Sequence, residues 1–226
     1  MSEKKQGSGR DVAKVILVIS GVTIISLGVI YAIYSSTHTK AYLVLVNKTH
    51  PLPEYWENKV QLDTVTNSLG EENVIEHETY KQYVKLRDEL LAQGVQIELD
   101  SVYRSIEDQQ ETWDWFVENY GEEYTKGHVS LPGYSEHHTG LAVDIFIMKD
   151  GKEIRENEEM VADTEDFAKV HALLPKYGFI LRYLPGKKEI TGYDPEPWHL
   201  RYIGDERAAR YITEQGLTLE EYLGEN

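Results

Sequence analysis

The stretch Ser135-Glu136-His137-His138-Thr139-Gly140-Leu141-Ala142-Val143-Asp144-Ile145-Phe146-Ile147-Met148-Lys149-Asp150-Gly151-Lys152 reads as turn, strand and second turn in succession. Leu141 to Met148 is apolar except for Asp144, the length and composition of a buried strand. The Asp150-Gly151 pair after it favours a hairpin turn, and Gly140 before it lets the chain reverse tightly. Asp144 is the anomaly. An ionised carboxylate in such a strand is costly unless a cation or hydrogen-bond donors compensate it.

Outward from this strand the chain alternates between helical and strand patterns without a strict β-α-β order. Helical periodicity predicts helices over about His77 to Gln93, with Gly94 as a stop, and over about Ile106 to Asn119. A third begins at Asp163 or Thr164 and carries Phe167, Val170, His171 and Leu174 on one stripe; a fourth runs from Asp205 to Gln215 and ends at Gly216. Strands are expected at Ala41 to Val46, Val95 to Tyr103, Phe179 to Leu184 and His199 to Ile203. The order is mixed, so the fold class is α+β, a single domain with a mainly antiparallel sheet flanked by helices.

The 226 residues begin with a 20-residue uncharged run, Val15 to Tyr34. As a helix it would span ~30 Å, the thickness of the bilayer's hydrocarbon core. Lys4, Lys5, Arg10 and Lys14 precede it and only Lys40 follows nearby. The positive-inside rule then places residues 1–14 in the cytoplasm and the rest outside. The run is longer than the apolar part of a signal peptide, and no small-x-small cleavage site follows Tyr34. The expected organisation is a cytoplasmic N-terminus at 1–14, a transmembrane helix at 15–34, a stalk and entry segment at 35–57 and one folded domain at 58–226.

Charge is segregated along the chain. Residues 1–40 hold five basic and two acidic side chains, and residues 41–226 hold 18 and 37. So acidic an exterior argues against nucleic acid as a partner. There is no cysteine, which removes disulfides, thiol catalysis and thiolate-bound metal. An outward-facing domain without disulfides is ordinary for bacteria that export into a thick wall. Oligomeric state is not legible.

A second short stretch, Glu196-Pro197-Trp198-His199, completes a chemical set. Two histidines, an aspartate and a spare glutamate are the minimum for a hydrolytic zinc site with one open coordination position. Pro195 and Pro197 bar a regular helix and hold Glu196 to His199 extended, so that Glu196 stands beside the metal as a general base. Either His137 or His138 can serve as the ligand on this reading. His171 reads as a satisfied residue of its helix, and Glu136 as a solvated carboxylate or an alternative base. Arg104 is an alternative partner for Asp144.

Ser-x-His-x-x-Gly-x-Ala-x-Asp followed by Glu-x-Trp-His resembles the VanY-type zinc carboxypeptidases, which trim peptidoglycan stem peptides. Leu45 to Pro53, Tyr103-Arg104-Ser105, Tyr177 to Tyr183 and Ile190 to Tyr193 are similar to stretches of that family in the same order. The resemblance spans roughly Leu45 to Gly204. It implies one catalytic Zn2+ held by His137, Asp144 and His199, which selects His137 over His138, with Glu196 as base. It implies that Arg104 contacts the scissile carbonyl or the substrate's terminus, and that Ser135 and Gln109 help hold the terminal carboxylate. A membrane-anchored D,D-carboxypeptidase acting on stem peptides ending in D-Ala-D-Ala is the activity it implies. An L,D-carboxypeptidase acting on the tetrapeptide shares the same metal site, and a non-catalytic peptidoglycan-binding module is the remote alternative.

Overall fold

The apolar run around Asp144 is the central strand of the sheet. The structure, a computed structural model, describes residues 42–225, and the Val15 to Tyr34 run lies outside the described residues. Among the described residues no helix is long and apolar enough to cross a membrane. The main sheet is built from β3 (Gln96–Ser101), β4 (Ala142–Lys149), β5 (Lys152–Ile154), β6 (Phe179–Tyr183) and β7 (Glu196–Tyr202). Its order is β3-β4-β7-β6, with β5 paired to the far end of β4, and each pairing is antiparallel. β1 (Leu62–Thr66) and β2 (Glu72–Glu76) form a separate hairpin.

Helices α1 (His77–Ala92), α2 (Ile106–Tyr120), α3 (Glu122–His128), α4 (Asn157–Ala162), α5 (Thr164–Leu173), α6 (Lys188–Thr191), α7 (Glu206–Gln215) and α8 (Leu219–Leu223) flank the sheets. Their starts follow local capping chemistry. Ser105 and Asp108 close a capping box on α2, Thr218 and Glu221 do so on α8, and Asp205 accepts from two backbone amides of α7.

Strand alternation sorts the two faces of the sheet. Val143, Ile145 and Ile147 join Tyr83, Leu86 and Leu90 of α1 and Phe167 and Val170 of α5 in the main core. Asp144 points to the opposite face. Directly across β7, in register, stand Arg201 against Ala142 and His199 against Asp144; β6 continues the row with Ile180 opposite Arg201. One face therefore carries Asp144, His199, Arg201 and Arg182.

Three features differ from the sequence expectation. Residues 44–46 form no strand, because Arg201 Nη2 donates to the carbonyls of Tyr42 (2.9 Å) and Val44 (2.7 Å) and replaces a strand partner. The β1–β2 hairpin was not expected, its short strands being largely polar; the Asn67 side chain closes its turn by accepting from Leu69 N and Glu71 N. β7 starts at Glu196 rather than His199, for a reason that matters at the site.

Candidate active site

The sheet register alone makes Asp144 and His199 neighbours, since they are directly paired on adjacent antiparallel strands. His137 arrives from a 3-10 turn, Glu136–Thr139, that precedes β4. Gly140 ends this turn in the left-handed region (φ 71°) and sends the chain back into the strand. A Cβ at Gly140 would lie 2.9 Å from Leu62 Cδ2 and 3.2 Å from Glu76 N. Gly140→Ala is therefore expected to cost roughly 2–4 kcal/mol through backbone strain and overpacking. At about 2–4 °C per kcal/mol for a domain of this size, thermal unfolding should show a Tm roughly 5–15 °C lower; an unchanged Tm would contradict the packing described.

His137, Asp144 and His199 each offer one ligand atom, all within 4.8 Å of one another. The hydrogen bonds behind them decide which atoms those are. His137 Nδ1 lies 2.6 Å from the Val102 carbonyl, so it carries the proton and donates. Its Nε2 lone pair then faces Asp144 Oδ2 at 3.3 Å. His199 Nε2 lies 3.4 Å from Glu136 Oε2 and donates there, which turns the Nδ1 lone pair toward Asp144 Oδ1 at 2.8 Å. Asp144 Oδ1 is buried and makes no hydrogen bond. Two nitrogen lone pairs and a carboxylate thus converge as acceptors on one point, an arrangement that only a cation or extra protons hold together. Tetrahedral zinc with imidazole and carboxylate donors fits this set, with one position left for solvent or substrate.

Electrostatics show the same crowding. Burial opposes the charge on Asp144, yet His137 and His199 hold its carboxyl well below the usual carboxylate range. Burial also opposes a charged His199, but Asp144 pushes the imidazole up to about 10. Zinc must displace that proton, so zinc affinity falls with acidity.

Glu196 reaches the same cleft through a strand irregularity. Leu181 pairs with Leu200, but Tyr183 pairs with Glu196, leaving two surplus residues on β7. Without this bulge, Glu196 and His199, three apart, would face opposite sides. Pro197 sits inside the bulge, where a missing N–H is tolerated, and its carbonyl accepts from His171 Nε2 at 2.8 Å. His171 is thus a satisfied helix residue. Glu196 Oε2 stops 3.7 Å from His199 Nδ1, beside the converging lone pairs. Burial, reinforced by the Asp144 charge, pushes its carboxyl up to about 7 against the opposing pull of His199.

A cleft of about 420 Å³ opens over these groups, lined also by Arg104, Gln109, Ser135, Tyr183, Tyr193 and Trp198. Arg104 makes no hydrogen bond to Asp144. It donates from Nη2 to Ser101 Oγ (2.9 Å) and from Nη1 to Gln109 Oε1 (3.1 Å). Gln109 is buried and donates to the Ser130 carbonyl at 2.8 Å. Ser135 caps the 3-10 turn by accepting from His137 N. His138 is buried with both ring nitrogens engaged: Nδ1 donates to the Arg104 carbonyl, and Nε2 accepts from Gly133 N.

Glu136 departs most from its expectation as a solvated group. It is 3% exposed, and Oε1 accepts from both Arg182 Nε and Arg201 Nη1, each at 2.7 Å. Although burial works against the charge, the two guanidinium groups hold its carboxyl well below the usual range. Glu220 of α8 completes the set through two bonds to Arg182, at 2.6 and 2.9 Å. Arg182 interrupts an apolar strand, the same mark that singled out Asp144, whereas Arg201 shares β7 with Glu196 and His199. Tyr183 and Tyr193 line the cleft without any comparable sequence signal.

Comparison with known proteins agrees with this geometry. The VanY family, described as D-alanyl-D-alanine carboxypeptidase, matches residues 72–205. The bifunctional D-Ala-D-Ala dipeptidase and D-Ala-D-Ala carboxypeptidase VanXYC of Enterococcus gallinarum is 36% identical over 187 residues, which cover 80% of this chain and 92% of that protein. Three other curated relatives match over 80% of this chain, which spans only 57–66% of their own length. The solved LdcB LD-carboxypeptidase superposes with a TM-score of 0.69 at 37% identity, covering 80% of this chain and 85% of that one. The vancomycin resistance D,D-pentapeptidase VanY from a VanB-type resistance cassette, in complex with Zn(II), gives 0.64 at 37% identity over 81% and 99%.

Proposed function

The chain belongs to the VanY family of D-alanyl-D-alanine carboxypeptidases, and we propose that its domain removes the C-terminal D-alanine from peptidoglycan stem peptides ending in D-Ala-D-Ala. The convergence of two imidazole lone pairs and an orphaned carboxylate oxygen beside the free carboxylate of Glu196 carries this reading. His137 Nε2, Asp144 and His199 Nδ1 would hold the zinc, which when bound would supply Lewis acidity toward the scissile carbonyl and a lowered pKa for the attacking water. Glu196 takes the proton of that water as its oxygen adds to the carbonyl carbon. It then returns a proton to the leaving amine as the C–N bond breaks.

Arg104 lines the cleft with its guanidinium held from behind by Ser101 and Gln109. A fixed, permanently charged donor fork suits the developing oxyanion or the terminal carboxylate. In this reading Gln109 acts mainly by orienting Arg104, while Ser135 secures the turn that presents His137 and borders the substrate. The Val15 to Tyr34 run would anchor the enzyme in the membrane with the cleft outside; protease shaving of intact cells tests that placement.

The full chain incubated with a D-Ala-D-Ala-ending pentapeptide is expected to release free D-alanine, and chelation is expected to abolish release until zinc is restored. No release from zinc-loaded protein would overturn the assignment. A second reading, L,D-carboxypeptidase action on the tetrapeptide, is favoured by the likeness to the LdcB LD-carboxypeptidase. Mass spectrometry of penta- and tetrapeptides treated in parallel separates the two by the length of the product.

A further inference from the structure

We infer that Glu136 is a positioning residue for the metal, acting through His199, within an electrically neutral cluster of four buried charges. The inference rests on the zinc reading of the site. Arg182, Arg201, Glu136 and Glu220 are each no more than 3% exposed. Two cations and two anions balance, which is what makes a buried cluster tolerable. The division of labour inside it is unequal. Glu220 spends both oxygens on Arg182, and Oε1 also accepts from Asn47 Nδ2 at 3.0 Å. Glu136 gives Oε1 to the two arginines and turns Oε2, free of other partners, to His199 Nε2.

This one contact fixes what His199 offers the cleft. An imidazole donating from Nε2 presents the Nδ1 lone pair to a metal, and a carboxylate behind a metal-bound histidine also raises its basicity. Arg182 and Arg201 keep Glu136 in place from two strands. Both are tied down in turn, Arg182 by Glu220 and Arg201 by the carbonyls of Tyr42 and Val44. The cluster therefore connects α8 and the first described residues to a single metal ligand, and Glu136 is its only member that touches one.

The test compares Glu136→Gln with Glu220→Gln in the purified full chain, reading zinc dissociation constants by competition with a chromogenic chelator and apo-protein Tm by thermal unfolding. Both variants unbalance the same buried cluster, so both should lower Tm. Only Glu136→Gln should weaken zinc binding, by about 10–100-fold, with Glu220→Gln staying within about threefold of wild type. Unchanged zinc affinity in Glu136→Gln, or equal weakening in both variants, would overturn the inference. Wild-type protein that binds no zinc would instead defeat the metal reading itself.

If Glu136→Gln fails to fold, imidazole ¹H–¹⁵N NMR of the zinc-loaded wild type decides. A slowly exchanging proton on His199 Nε2 is expected. A proton on Nδ1, with the metal on Nε2, would overturn the inference.

Discussion

Glu196→Gln should lower kcat on a D-Ala-D-Ala-ending pentapeptide by about 10²–10⁴-fold, the usual contribution of a positioned general base, while zinc affinity and KM change little. Glutamine keeps the volume and the bulge geometry but cannot accept a proton. The separation from the metal site is visible in the structure: Glu196 stands 3.7 Å from His199 Nδ1 and outside the trio whose donor atoms converge. Its carboxyl, pushed up to about 7 chiefly by burial, would be drawn lower by a dication bound beside it, leaving Glu196 ionised at neutral pH. Activity of the wild type should rise with pH along an acid limb lying below pH 7, and this limb should flatten in Glu196→Gln. Steady-state kinetics across pH, with zinc measured by chelator competition, check both parts. A variant that keeps wild-type kcat would remove Glu196 from the chemistry, and one that loses zinc would make it a ligand instead.

Asp144 was legible because one charge in an apolar strand has few explanations, and the strand itself followed from composition. The choice of His137 over His138 was not legible from the residues. Both side chains are buried, and each sets its Nδ1 against a backbone carbonyl, Val102 for one and Arg104 for the other. Only the rotation between successive residues of a 3-10 turn sends one Nε2 into the cleft and the other to Gly133 N. The family resemblance points to His137, the one whose ring nitrogen gathers with Asp144 and His199.

Glu136 was missed for a related reason. It lies in the polar run Ser135 to Thr139, which looks solvated, and its partners come from strands some 46 and 65 residues away. The bulge on β7 escaped similarly. Two prolines signal an extended path, but not that the path pairs with Tyr183 and skips two residues to aim Glu196 and His199 together.

Asp144→Asn should have the other large effect, because it removes the one charge around which the site is organised. The substitution is isosteric, and an amide can pair with His199 Nδ1, which lies 2.8 Å from Asp144 Oδ1. The metal-free fold should therefore survive with a Tm within a few degrees of wild type. Zinc binding should not. Structural zinc in four-ligand zinc-finger peptides binds with about 10–16 kcal/mol, roughly 3–4 kcal/mol per ligand. Losing the anionic member of the proposed trio is then expected to remove roughly 3–4 kcal/mol, or about 10²–10³-fold in affinity, and D-alanine release at micromolar zinc with it. Thermal unfolding reads this without any substrate. At zinc concentrations 100 times its Kd the wild type gains about 2.7 kcal/mol, which corresponds to a Tm rise of roughly 5–11 °C. Asp144→Asn should show almost none of that rise. Acidification from pH 8 to pH 6 should shrink the wild-type rise as well, since the proton that Asp144 stabilises on His199 must leave before zinc binds. A full zinc-dependent rise in Asp144→Asn would mean that the buried carboxylate serves something other than a metal.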